Sequence, residues 1–244
     1  DVAPSRGLGD VYKRQVITIV LINCSLYITS NLLIYFFKYD IGGTGWNADY
    51  VLFNTFGGGI QIISMMLFYP LFRKFISAMQ VFYVSFVMAI GGYAVLLALM
   101  FTNHTDIYIL MIPGFFIFTA FGMLTVLTTV FLANTVDYGE LKNNRRDESV
   151  IFSMQTFVVK LASGVAAMIA SICLSISNIS NDTSTEAAAV ASDSYTSVAV
   201  LRMTMTVLPI IGLLVAVFIF AKKYILTDEK LGEINQELAH RHEA

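Results

Sequence analysis

One lysine within a long apolar stretch is the residue of this sequence that most requires a chemical role. Lys160 lies eleven positions beyond Ser149, where that stretch begins. A helix rises about 1.5 Å per residue, so Lys160 would lie about 16 Å along the axis. That depth is near the middle of an apolar bilayer core, which is about 30 Å thick. A charged side chain there costs from about 3 to more than 10 kcal/mol unless it is paired or hydrated.

The positions of the acidic residues in the chain limit the roles that Lys160 can have. No Asp or Glu lies inside any of the six apolar stretches of the chain. Lys160 is therefore expected either to face a water-filled cavity or to pair with a carboxylate of another domain, and both interpretations indicate a transport pathway. An alternative gives Lys160 no function. In it, either the lysine is desolvated and uncharged, or its helix is shifted along the membrane normal so that Lys160 is not at mid-depth.

Polar side chains accompany Lys160 on its own predicted helix. Gln155 and Thr156 precede it, and Thr156 lies one turn away on the same face. This polar stripe with a cation in the middle is suited to the hydroxyl groups of a ligand or to a carboxylate partner.

Two more predicted helices carry polar stripes. Asn23, Tyr27 and Asn31 recur every four residues in the first, and Asn54 and Gln61 are seven residues apart in the second. Taken singly, each is explained by hydrogen bonds between helices. Three stripes in one bundle favour a polar cavity, and we expect Tyr27 and Asn31 to line it.

The elements that must position these residues are membrane helices. The chain is 57% hydrophobic and 13% charged, whereas soluble domains carry about 25% charged residues. Because a bilayer leaves backbone groups no water to bind, apolar runs of about 20 residues become helices. The sequence predicts an all-α membrane protein with six spans: about 16–37, 51–72, 81–101, 107–134, 149–176 and 197–224.

Basic residues between the spans predict the orientation. Seven lie on one side, against Lys38 alone on the other. The positive-inside rule places the richer side, and with it both ends of the six-helix unit, in the cytoplasm. We expect a multi-pass protein of the plasma membrane. The seven residues are Arg73, Lys74, Lys142, Arg145, Arg146, Lys222 and Lys223.

The chain divides into three parts by composition. Residues 1–15 are polar and show no helical period, so they resemble a non-native leader on a chain truncated at its front. Residues 16–226 form the six-helix bundle. Residues 227–244 form a cytoplasmic tail whose apolar stripe predicts a short surface helix.

Several function classes are disfavoured. The formal net charge of −2 provides no basic surface for nucleic acid. The three histidines lack metal-ligand spacing, and no nucleophile is placed beside a base. We therefore expect neither an enzyme nor a bound metal or cofactor.

Two motifs carry a resemblance to a known family. VDYGE at 136–140 is followed by a basic loop ending at Arg146, by Glu148, and by QTFVVK at 155–160. In this order and spacing the pieces closely resemble the glycoside–pentoside–hexuronide:cation symporters of the major facilitator superfamily. The likeness runs from about Val16 to the carboxyl end and matches helices seven to twelve of a twelve-helix carrier.

The resemblance implies a function and a site. The family couples sugar uptake to a cation such as Na⁺ or H⁺, and the residues matching Gln155, Thr156, Val159 and Lys160 line its sugar and cation site. The acids that bind cation and sugar lie mainly on the first six-helix bundle, which this chain lacks. The resemblance also implies a cytoplasmic gate of charged residues: Asp137, Glu140, Arg145, Arg146 and Glu148.

Two positions depart from the best-known member of the family. Asn134 stands where that member has an acid, and Thr125 stands where it has an aromatic residue that contacts sugar. The resemblance thus implies that Thr125 occupies a substrate position, although its side chain differs.

Two functions follow from the sequence. The first is secondary active transport of a sugar or glycoside with Na⁺ or H⁺, by a carrier of which this chain is the carboxy-terminal half. Its partners would be the sugar, the missing amino-terminal bundle and the lipid bilayer. The alternative is a stand-alone six-helix protein, acting as a homodimeric half-carrier or an interaction protein.

Overall fold

The structure, a computed structural model, describes residues 3–42, 45–102, 106–143, 148–177, 195–221 and 232–233. These residues are almost entirely helical, and none of them belongs to a strand. Within these described residues, six helices are long and apolar enough to cross a membrane. The predicted fold class, an all-α six-helix membrane bundle, is confirmed.

We number the six helices α1 to α6. Two of them contain π-helical segments, at the end of α1 and within α2. The bounds are α1 Ala3–Tyr35 with a π segment Phe36–Ile41; α2 Trp46–Ile63 with a π segment Ser64–Phe68 and a last part Tyr69–Phe75; α3 Ala78–Phe101; α4 Ile107–Asn143; α5 Glu148–Ile176; and α6 Tyr195–Ala221.

The start of α1 differs from the sequence-based division of the chain. The helix already begins at Ala3, although residues 1–15 lack a helical period in sequence. Gln15 is buried, and its Nε2 donates a hydrogen bond to the Phe131 carbonyl at 2.8 Å. Its Oε1 accepts another from Thr135 at 2.7 Å. Gln15 thus joins α1 to α4. Of the proposed tail, only residues 232–233 lie within the described residues.

The core lies where α1, α3, α4 and α6 meet. Phe82 of α3 packs with its ring centroid 5.6 Å from Phe131 of α4 and 4.4 Å from Phe220 of α6. Such aromatic contacts bury large apolar areas. Of the six spans, α4 is the most buried and α2 the least.

A close approach of α2 and α4 depends on Gly122. A Cβ at this position would lie 2.7 Å from the Gln61 carbonyl oxygen and from the Ser64 Cβ. Without that Cβ, the Ser64 hydroxyl comes near enough to donate to the Thr119 carbonyl at 2.6 Å. The contact between Ser64 and Thr119 sets which part of α4 lies opposite Gln61.

The sequence analysis missed a buried ion pair at one end of the bundle. Arg202, in the second turn of α6, donates through Nε to Asp40 Oδ2 at 2.8 Å, and through Nη2 to Oδ1. The two side chains are 11% and 5% exposed, and the guanidinium carbon lies 6.0 Å from the Phe101 ring centroid. Lys160 is therefore not the only cation within an apolar run. Arg202 also adds a second basic residue to the end that carries Lys38.

We predict that breaking this ion pair destabilises the bundle. Asp40→Ala leaves Arg202 buried without a counter-charge, so the free energy of unfolding should fall by about 3–5 kcal/mol. Thermal unfolding of purified protein in detergent measures the loss.

The matched controls are an exposed acid and a charge-free pair. Asp106→Asn changes an exposed carboxylate at the same end and should leave the melting temperature nearly unchanged. The double variant Asp40→Leu/Arg202→Met should recover most of the stability, because apolar residues replace both charges. A single Asp40 variant as stable as Asp106→Asn would show that the pair contributes nothing.

Candidate functional site

A polar cavity of about 470 Å³ lies between α1, α2, α4 and α5. All four helices contribute amide or hydroxyl groups to its lining. Ile19, Leu26, Phe118 and Val159 supply apolar surface between these groups. The polar lining residues are Asn23, Tyr27, Ser30, Asn54, Gln61, Thr125, Thr128, Thr129 and Gln155.

The cavity brings together four of the residues that the sequence analysis nominated for the site. Tyr27 comes from α1, Thr125 from α4, and Gln155 and Val159 from α5. The side chains of Gln155 and Thr129 meet within the cavity, with Gln155 Nε2 3.4 Å from Thr129 Oγ1. Tyr27 and Val159, which are 132 positions apart in the chain, therefore line the same cavity.

The other three nominated residues do not line the cavity. Asn31, Thr156 and Lys160 are exposed on the surface of the bundle. The Thr156 hydroxyl donates to the Phe152 carbonyl of its own helix at 3.1 Å. Within the part of the chain that the structure describes, no carboxylate pairs with Lys160. Its assignment to the site stays a prediction.

The polar groups of the cavity keep hydrogen-bonding capacity for a ligand. Asn23 Nδ2 donates to the Ile19 carbonyl at 2.8 Å, and the Thr125 hydroxyl donates to the Phe121 carbonyl at 2.7 Å. A carboxamide has two donor hydrogens and a two-lone-pair acceptor, and a hydroxyl oxygen can both donate and accept. Each group can therefore bind a ligand hydroxyl while it keeps its bond to its own helix.

Two further lining residues, Thr128 and Thr129, also had a signal in the sequence. Thr125, Thr128 and Thr129 are spaced three and four residues apart, which places them on one face of a helix. Ser30 shows the same kind of spacing, because it lies three residues after Tyr27 and seven after Asn23, on the face of α1 that lines the cavity.

The predicted gate lies partly outside the described residues. Asp137 and Glu140 are half-buried near the end of α4, and both have interaction partners. Arg145 and Arg146 are not described, and only the backbone of Glu148 is, at the start of α5. The gate therefore stays a prediction. Among the described residues, no group of three or more His, Cys, Asp or Glu could hold a metal ion.

The amino-acid sequence of this chain was compared with those of known protein families. A family model described as MFS/sugar transport protein matches residues 12–228. The chain belongs to this family. The resemblance to the glycoside–pentoside–hexuronide:cation symporters is thereby confirmed, whereas the assignment to helices seven to twelve stays a prediction.

Two curated sugar carriers and a symporter match this MFS sugar transport chain over most of its length. The lactose permease of Lactobacillus delbrueckii subsp. bulgaricus is 31% identical over 211 residues, which is 85% of this chain and 31% of the permease. The raffinose carrier protein of Pediococcus pentosaceus is 26% identical over 215 residues, with 86% and 31% covered. An uncharacterized symporter of Bacillus subtilis is 25% identical over 234 residues, with 93% and 47% covered. The chain thus spans from 31% to 47% of the length of these relatives.

We predict that the cavity is filled with water in the membrane. In a variant with Cys24 and Cys173 replaced by Ala, a Thr125→Cys thiol should react readily with a hydrophilic thiol reagent, because exposure to water controls the rate. Labelling rates in native membrane vesicles measure this access.

Ile211 provides the matched control. It is exposed on α6 but lies outside the cavity, so Ile211→Cys should face lipid and react slowly. Equal rates at the two positions would contradict a hydrated cavity.

Proposed function

We propose that this chain is the carboxy-terminal six-helix half of a sugar:cation symporter and that its cavity is half of the sugar site. The observation that carries the proposal is the cavity of about 470 Å³, lined by amides and hydroxyls from four helices. The family match and the share of each relative that the chain covers support it.

The chemistry of the lining fits a neutral, hydroxyl-rich substrate. Amide side chains bind sugar hydroxyls as both donors and acceptors, and Asn23, Asn54, Gln61 and Gln155 supply four of them. Aromatic surface from Tyr27 and Phe118 would cover the apolar faces of a sugar ring. The names of the relatives, lactose permease and raffinose carrier protein, describe substrates of this class.

Transport requires the cavity to open alternately to the two sides of the membrane. In carriers built from two six-helix bundles, this occurs by rocking of one bundle against the other around a site at their interface. The exposed polar surface of α5, with Thr156 and Lys160, would face that second bundle. Movement of Na⁺ or H⁺ down its gradient would drive the uptake.

Lys160 would connect the cation to the sugar. Its ammonium group lies within a membrane span that holds no other charged residue, so a carboxylate of the second bundle would stabilise it. When a coupling cation binds that carboxylate, Lys160 loses its partner and the packing of the two bundles changes. Charge balance would thereby link cation binding to the motion.

The basic end of the bundle would lie in the cytoplasm. Arg73 and Lys74 lie at the end opposite Asp40 and Arg202, and the positive-inside rule places them inside the cell. Asp137, Glu140, Arg145, Arg146 and Glu148 would then form charge pairs that close the carrier on the cytoplasmic side and separate as it opens inward.

The first test is the replacement of Lys160 in the full-length carrier. Lys160→Ala should abolish cation-driven accumulation, because the carboxylate of the second bundle would no longer respond to the cation. Uptake of radiolabelled sugar into vesicles with an imposed Na⁺ or H⁺ gradient measures it.

Lys74→Ala, a change to an exposed lysine at the end of α2, is the matched control and should keep accumulation. Full accumulation by the Lys160 variant would reject the role of this residue in coupling.

The second test concerns the sugar contacts. Gln155→Leu removes hydrogen bonds to substrate hydroxyls and should raise the KM for sugar by about three- to tenfold, as expected for one lost hydrogen bond. Ser153→Ala, on the same helix but outside the cavity lining, should leave KM unchanged. Equal KM values for the two variants would place the sugar elsewhere.

A further inference from the structure

Thr29 joins three helices through a single hydroxyl group. Its Oγ1 lies 3.1 Å from the Met205 carbonyl oxygen of α6 and 2.7 Å from the Tyr93 hydroxyl of α3. It also lies 3.2 Å from the Ser25 carbonyl of its own helix. Tyr93 is fully buried, so this group of bonds lies inside the bundle.

The Met205 carbonyl needs a donor because of Pro209. Proline has no N–H, so the carbonyl four residues before it loses its partner within the helix, and here that carbonyl belongs to Met205. An unpaired carbonyl in the membrane interior is costly. The Thr29 hydroxyl stands where the missing N–H would have donated.

A second contact holds α1 against the same bend in α6. The Ser25 hydroxyl, one turn before Thr29, lies 3.3 Å from the Pro209 carbonyl oxygen. A Cβ on Gly212 would lie 2.7 Å from that hydroxyl, so only glycine permits this approach. Ser25 and Thr29 together hold one face of α1 on the proline bend.

The hydrogen bonds therefore have a direction. A hydroxyl donates one proton, and Thr29 directs its proton to backbone carbonyl oxygens, which can only accept. The Tyr93 hydroxyl must then donate to Thr29. The result is a relay from Tyr93 through Thr29 to Met205, which connects α3, α1 and α6.

This relay sets which face of α1 meets the cavity. Successive residues of a helix are about 100° apart, so Asn23, Tyr27 and Ser30 lie roughly 100–160° round the axis from Thr29. With Thr29 turned towards α3 and α6, these three side chains point into the cavity. A small chamber lined by Thr29 and Tyr93 adjoins the cavity and shares Ser30 and Asn54 with it.

We propose that Thr29 is a positioning residue for the sugar site, acting through the rotation of α1 that its bonds to Tyr93 and Met205 fix. The proposal rests on the function proposed above. Thr29 itself binds no sugar, and its effect reaches the substrate through Asn23, Tyr27 and Ser30.

The test uses the full-length carrier with matched variants. Thr29→Val keeps the shape and removes the hydroxyl, and Thr29→Ser keeps the hydroxyl. We expect Thr29→Val to raise the sugar KM about five- to tenfold, Tyr93→Phe to raise it as well, and the double variant to add little. Thr29→Ser should retain the KM of the unchanged carrier.

Thr206→Val is the control for losing a buried hydroxyl. Thr206 is buried on α6, and its hydroxyl donates to the Arg202 carbonyl of the same helix at 2.7 Å. This variant should lose some thermal stability and keep its KM. A rise in KM equal to that of Thr29→Val would show a general effect of loosened packing and overturn the proposal.

A readout independent of transport separates this proposal from the proposed function. With Cys24 and Cys173 replaced by Ala, an Asn23→Cys thiol should react with a hydrophilic reagent, and adding Thr29→Val should slow that reaction. An unchanged rate overturns the positioning role even if sugar is transported. A slowed rate, when the carrier with Asn23 and Thr29 unchanged transports no sugar, supports the role and rejects the proposed function. If Thr29→Val does not fold, Tyr93→Phe and Thr29→Ser decide by the same measurements.

Discussion

The organisation of this protein depends on one constraint: a polar group in an apolar solvent must find a partner within the protein. The backbone meets it by forming six helices. Side chains meet it where helices cross, as Gln15 does with Thr135 and Arg202 does with Asp40. Pro209 has no N–H to donate to the Met205 carbonyl of its own helix, and the Thr29 hydroxyl of α1 donates to that carbonyl instead. Each such contact joins a particular pair of helices and thereby selects the arrangement of the bundle.

The same constraint distinguishes the surface around the cavity from the apolar outer surface of α6. Exposed residues of α6, such as Ile211, Leu214 and Phe218, are apolar and need no partner in lipid. The surface made by α1, α2, α4 and α5 instead carries amides and hydroxyls around an open cavity. Groups of this kind are stable there only with water, substrate or a second bundle against them. A half-carrier would therefore have its polar binding groups on the face that a second bundle covers.

Some residues of the cavity could be predicted from the sequence, and some contacts of the bundle could not. The recurrence of Asn23 and Tyr27, and the amide at Gln155, indicated polar helix faces, and the structure brings all three to one cavity. Helical spacing also contained the signal for Thr128 and Thr129. By contrast, nothing near Asp40 in the sequence indicates a partner 162 positions later. The burial of Gln15 was equally hidden, because the two residues before it are basic and its partners lie on α4.

The sequence by itself determined the membrane-spanning character, the number of spans and the family, because apolar length, helical period and local motifs are properties of neighbouring residues. Only the tertiary structure decided which polar groups share a cavity, which charges neutralise each other, and which hydroxyl replaces the N–H that Pro209 lacks. Those outcomes depend on the rotation and depth of each helix against the others. The rotation and the depth are both set by contacts between residues far apart in the chain, and the local sequence pattern does not report such contacts.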